Sequence, residues 1–196
     1  MRRILPVLLL AGGLSVSMTA AMAEPAAAEQ VTLRDARHDV WRSASVDDLS
    51  PAPSATLGDV TRTVVAHGPA SVVVTLAFVD LRRSMAYSNY TVRLQNGSRQ
   101  TREVTLEASR HTPGGRIRVF RPNGRVITCA VQHRIDYGRD RVRLSVPRSC
   151  LPSSTRVRAN VSMHRSNDQG VFFADNPHNQ RASSSAWTSW LRAARR

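Results

Sequence analysis

Asp35 and Asp39 lie in the stretch LRDARHDVW, and a third aspartate, Asp175, follows late in the chain in FFADNPHN. Carboxylates suit a hard cation: calcium takes about six to eight oxygens and completes its shell with further carboxylates, of which Asp47, Asp48 and Asp59 are available, with loop carbonyls or with a side-chain amide such as Asn176. The EF-hand spacing Asp-x-Asx-x-Asx-Gly is absent, so the three aspartates are candidate ligands for a structural calcium without a diagnostic motif. The competing expectation is that Asp35 or Asp39 shapes an Asx turn or balances Arg34, Arg37 or Arg42. For acid–base chemistry, His38 with Asp35 and Asp39, or His133 with Asp136, are the available pairs. Gly-x-Ser-x-Gly, Ser-x-x-Lys and His-Glu-x-x-His are all missing, and a chain without lysine has no lysine base or Schiff base. A non-enzyme is expected, with a hydrolase ranked last.

Cys129 and Cys150 are the only cysteines, and the expectation is one disulfide between them. All 28 basic residues are arginine, against 14 acidic ones, for a formal charge of +14. Such a surface favours anionic polymers, with a salt-sensitive attraction. Arg116 and Arg118, Arg141 and Arg143 (with Arg139), and Arg156 and Arg158 alternate, so each set projects from one face of its strand. A solvated outer face explains them; were their strands neighbours, the rows would merge into one basic face that binds anions. Aromatics that could stack bases are not interleaved there, so no specific nucleic-acid recognition is expected.

The start of the chain, MRRILPVLLLAGGLSVSMTAAMA, has a basic beginning, an apolar run and an Ala-x-Ala end. This order predicts a signal peptide over 1–23, a linker over 24–30 and a secreted, extracellular mature protein. No later stretch is apolar enough to span a bilayer.

The elements that must position these residues read as strands. From 31 to 164 the apolar period is mostly two, Val and Thr abound, and turn residues recur. Strands are expected over 59–65, 71–79, 90–94, 101–107, 116–120, 126–131, 134–137, 141–146 and 155–163, with 71–79 central because it is apolar on both faces. Pro122-Asn123-Gly124 predicts a hairpin joining 116–120 to 126–131. The result is an all-β, antiparallel β-sandwich, jelly-roll or immunoglobulin-like, over 31–180. The stretch 43–57 reads as a long loop, and the chain after Asp168 as a partly ordered region that ends in a basic tail over 181–196. Within that tail, Trp187, Trp190 and Leu191 beside arginines could touch a membrane, but docking of Trp187 back onto the sandwich is favoured.

The order of VTLRDARHDVW, GDVTRTVVAHGPASVVVTLAFVDL, DRVRLSVPRSCL and FFADNPHN resembles small exported β-sandwich proteins of actinobacterial type. More remotely it is similar to DOMON-like domains and family-nine carbohydrate-binding modules. The resemblance covers 31–179 and implies a β-sandwich; in some such modules early and late aspartates hold calcium, which maps onto Asp35, Asp39 and Asp175. His38 departs from that pattern, standing where glycine is common. Haem-binding members would call on Met85, Met163 and histidines, which show no diagnostic arrangement. Sugar-binding members stack ligands on exposed aromatics, for which Trp41, Tyr87, Tyr90 and Tyr137 are the candidates, with Trp187 and Trp190 in the tail. The expected function is a secreted non-catalytic binding or structural module for carbohydrate or a cell-envelope polymer; the alternative is an electrostatic binder of anionic polymers, nucleic acid or acidic glycan, through the arginine-rich strand faces.

Overall fold

The computed structural model describes residues 28–43, 48–151, 155–178 and 186–194. The expected signal peptide over 1–23 lies outside the described residues, as do most of the linker and part of the tail. The described residues form strands and one short 3-10 turn, Arg148–Cys150. The strands are β1 (Glu29–Arg34), β2 (Trp41–Ser43), β3 (Ser50–Pro51), β4 (Val60–His67), β5 (Ser71–Phe78), β6 (Tyr87–Asn96), β7 (Thr101–Ala108), β8 (Arg116–Phe120), β9 (Gln132–Asp136), β10 (Arg141–Pro147), β11 (Arg156–Ser166), β12 (Phe172–Asp175) and β13 (Leu191–Arg192).

They assemble into two antiparallel sheets. One runs β1-β4-β5-β10-β9 and the other β3-β2-β12-β11-β6-β7-β8, with β13 paired to β11. β5 takes the centre of the first sheet, as its two apolar faces require. The inward phase of each strand supplies a single main core: Val65, Val74, Leu76 and Leu144 from the first sheet meet Val92, Leu94, Val104, Leu106 and Val161 from the second. Each of these is essentially solvent-free, and a buried aliphatic side chain contributes about 1.5–3 kcal/mol relative to exposure. Cys129 and Cys150 are joined by a disulfide with Cα atoms 5.9 Å apart.

Three expectations need correction. First, 126–131 is not a ladder strand. Only the isolated bridge Phe120↔Val126 continues past the turn, because the chain then leaves the second sheet for the first, where β9 pairs with β10. Alternation survives there, with Ile127, Cys129 and Val131 packed on the core, but no strand lies alongside to complete a ladder. Second, the region after Asp168 contributes β12 and β13, and both are parts of the second sheet. Third, β3 lies inside the expected long loop over 43–57.

Candidate functional site: an acidic corner and a basic sheet face

Asp35, Asp39 and Asp175 meet at one corner of the sandwich. β1 ends at Arg34, and Asp35 is held beside β4 by its N–H, which donates to the Thr61 carbonyl at 3.1 Å. The chain then turns through His38, in the left-handed region at φ 68°, and its N–H donates to Asp59 Oδ2 at 2.8 Å. This fixes Asp39 before Val40 enters a small satellite core with Met85 and Phe173. From the other sheet Asp175 closes β12, and its Oδ2 accepts the Val60 N–H at 2.7 Å. Gly58 permits the approach: it sits at φ +88°, and a Cβ there would stand 2.6 Å from Met163 Cε.

One carboxylate oxygen from each of Asp35, Asp39 and Asp175 lies within 4.8 Å of the other two. Asp59 and Asp175 are buried, at 0% and 1% exposure. Oδ2 of Asp35, both oxygens of Asp39 and Oδ1 of Asp59 are enclosed without a hydrogen-bond donor among the described residues. Such groups must either hold protons or meet a cation. Burial, and then the neighbouring Asp175 and Asp39 carboxylates, push the Asp35 carboxyl up to about 8. Burial likewise raises Asp175 to about 7, against the pull of the Val60 N–H, and also raises Asp39 and Asp59. An all-oxygen, multiply acidic set with orphaned oxygens fits a hard divalent cation of the calcium class. Asp35, Asp39 and Asp175 would hold it, and it would supply the positive charge that these carboxylates lack.

The arginine rows do not merge. β8 and β11 belong to the second sheet and are separated by β6 and β7, whereas β10 belongs to the first. On the second sheet's outer face most arginine charge is taken up locally. Arg118 pairs with Glu107, and Arg93 with Glu103 at 2.8 Å. Arg156 stacks on Trp190, and Arg158 lies over both Trp187 and Trp190, its Nε donating to Gln95 Oε1. Trp187 thus docks on the sandwich, as favoured from sequence. Arg116 stands exposed at the edge.

The first sheet differs. Arg34 faces Arg62 directly across β1 and β4; Arg62 is followed across the sheet by Ala77 and then Arg141; Arg143 faces Arg134 across β10 and β9. All of these arginines are exposed. Asp136 is the one carboxylate in these rows, bonded to Arg134 at 3.0 Å. Among the described residues Arg34, Arg62, Arg141 and Arg143 have no carboxylate partner, although like charges directly opposite one another destabilise a ladder. Shallow depressions of about 210 and 230 Å³ open here, the first between Arg62 and Arg141, the second beside Arg134 and Arg143. Sequence reading missed Arg34, Arg62 and Arg134. Each lies alone in its own strand, and only the pairing register gathers them.

The aromatic candidates form no common platform. Trp41 lies in register with Ala174, which aligns with His164 and then Asn89 on the second sheet. Tyr87 is 37% exposed, with its hydroxyl accepting from Asn89. Tyr90 is in the core, edge-on to Phe78. Tyr137 packs against the core beyond β9, and its hydroxyl donates to the Pro113 carbonyl. For the acid–base pairs, His133 is engaged with the Gly114 carbonyl, while Asp136 binds Arg134; His38 reaches the acidic corner at Asp59, through its backbone N–H and the charge of its ring. No known family model and no curated protein matches this chain.

Proposed function

We propose that this protein is a non-catalytic binding module of the cell exterior that holds an anionic envelope polymer against the outer face of its five-stranded sheet. The observation that carries this reading is the exposed set Arg34, Arg62, Arg141 and Arg143, which have no carboxylate partner among the described residues, in contrast to Arg93 and Arg118 of the second sheet. A guanidinium fork accepts phosphate, sulfate or carboxylate bidentately, and a flat face without stacking aromatics reads backbone charge, not bases. Location outside the cytoplasm is supported by the leader-like start of the sequence and by the disulfide, which suits an oxidising compartment. No helix among the described residues is long and apolar enough to cross a membrane.

The test is retention on immobilised heparin at low salt. The wild type should be retained and elute as salt rises, and Arg141→Glu with Arg143→Glu should elute markedly earlier, whereas Arg116→Glu on the other sheet should elute nearly as the wild type does. Elution that ignores the paired substitution would overturn this reading.

A carbohydrate-binding role, which the sandwich resemblance suggests, draws support from Trp41 and Tyr87 alone. Its check is a glycan array, where loss of retention in Trp41→Ala is the expected signature. In either reading the acidic corner serves as a structural cation site that ties the end of β1 and the start of β4 to the end of β12.

A further inference from the structure

At the end of the sandwich closed by the disulfide, a half-buried arginine, Arg102, stands near an exposed one, Arg121. Arg102 shares the inward phase of Val104 and Leu106 on β7, and Arg121 lies one residue past the end of β8. Since the last paired positions of these strands are Glu103↔Phe120, Arg102 and Arg121 stand side by side immediately beyond them. Both line a cleft of about 480 Å³ whose other walls include Ile127, Thr128, Ser149 and the Cys129–Cys150 bridge. That volume is in the range of about 300–1,000 Å³ typical of small-molecule sites and exceeds what a bare oxyanion fills.

Among the described residues no carboxylate lines this cleft. Arg102 Nη1 donates to the Thr101 carbonyl at 2.9 Å, but its Nε is enclosed and has no acceptor among the described residues. The outward face of the same strand pair shows the opposite design: Arg118 on β8 is matched there by Glu107 on β7. An enclosed guanidinium donor without an acceptor is destabilising, the more so for a charged group, and a neighbouring arginine adds repulsion; an entering anion relieves both.

We propose that this cleft binds a small organic oxyanion, carboxylate or phosphate monoester. Arg102 and Arg121 grip the anionic group, the Thr128 and Ser149 hydroxyls donate to it, and the carbon body lies against Ile127 and the disulfide. This site is separate from the polymer-binding face of the other sheet and stands without it.

Calorimetric titration with benzoate and with phenyl phosphate separates the two headgroups, and inorganic phosphate serves as the probe without a carbon body. Saturable binding of at least one organic anion is expected, weakened about tenfold or more by Arg121→Gln and by Arg102→Gln and unchanged in Arg141→Glu with Arg143→Glu. Arg121 is exposed, so its variant decides the question even if Arg102→Gln fails to fold. The proposal is overturned if neither organic anion saturates by about 10 mM, if Arg121→Gln binds as the wild type does, or if inorganic phosphate binds equally well.

Discussion

The acidic corner poses a problem of single carboxyl groups. Unfolded aspartates ionise near 3.8, but burial lifts Asp35 to about 8 and Asp175 to about 7. Folding without a cation therefore takes up protons, and the stability these groups contribute is full below pH 4 and is lost as pH rises through 7 and 8. His67, His164 and His178 act in the opposite sense, since burial lowers each from 6.5 and their contribution is lost as pH falls below that value. The window between about 6.5 and 8 therefore isolates the aspartates. Chelator-treated protein should melt at progressively lower temperature across it, and millimolar Ca²⁺ should raise the midpoint at pH 8 by about 5 °C or more. Asp175→Asn makes the reading sharper: its amide oxygen can still accept the Val60 N–H, so the chelated variant should melt at or above the wild type at pH 8 while losing the Ca²⁺ response. A wild type indifferent to Ca²⁺ at pH 8 would rule out the cation.

At the scale of elements, the disulfide does what no ladder does for 127–131. That segment is tied to β8 only by the Phe120↔Val126 bridge and the Ile127 N–H on the Val119 carbonyl, and Cys129 anchors its far end to the 3-10 turn after β10. Closing a loop of 21 residues restricts the unfolded chain by about 3 kcal/mol, so Cys129→Ala with Cys150→Ala should lose about that much in urea unfolding. Amide exchange should accelerate first at 127–131 while β5 stays protected, whereas uniform acceleration would mean that the bridge stabilises only globally. The same elements show what sequence can and cannot disclose. Period-two alternation revealed most of the strands and the central place of β5, because alternation is a property of a strand's own residues. It also suggested a strand at 126–131, because alternation reports which side faces the core and is blind to whether a neighbour offers hydrogen bonds. The acidic corner was legible as a set of aspartates and not as a place, since only the return of β12 beside β4 brings Asp175 to Asp35 and Asp39, and Asp59, named with Asp47 and Asp48 as a further carboxylate, is singled out as the buried fourth by the fold alone. The basic face was legible only at Arg141 and Arg143. Its other members needed register.

For the whole molecule, the C-terminal segment acts as a strap across the sandwich. β11 is long: residues 163–166 pair with β12, and residues 156–157 pair with β13, while Ala159 exchanges hydrogen bonds with Thr188 between them. Without residues 186–194 much of β11 would present an open edge, a template for unwanted pairing. The strap also reaches the first sheet. Leu191 is 2% exposed within the main core, its carbonyl contacts His67 Nδ1 at 3.1 Å, the Ala194 N–H donates to the His67 carbonyl at 3.2 Å, and the Arg192 N–H donates to Glu29. Leu191→Ala removes a fully packed side chain and should cost about 2–5 kcal/mol by urea unfolding. Arg192→Ala, an exposed neighbour whose bonds are made by its backbone, should cost less than about 0.5 kcal/mol. Equal, small effects from the two would show that the segment is loosely attached; the large difference expected here makes it an integral strand of the fold, closing both sheets over one core.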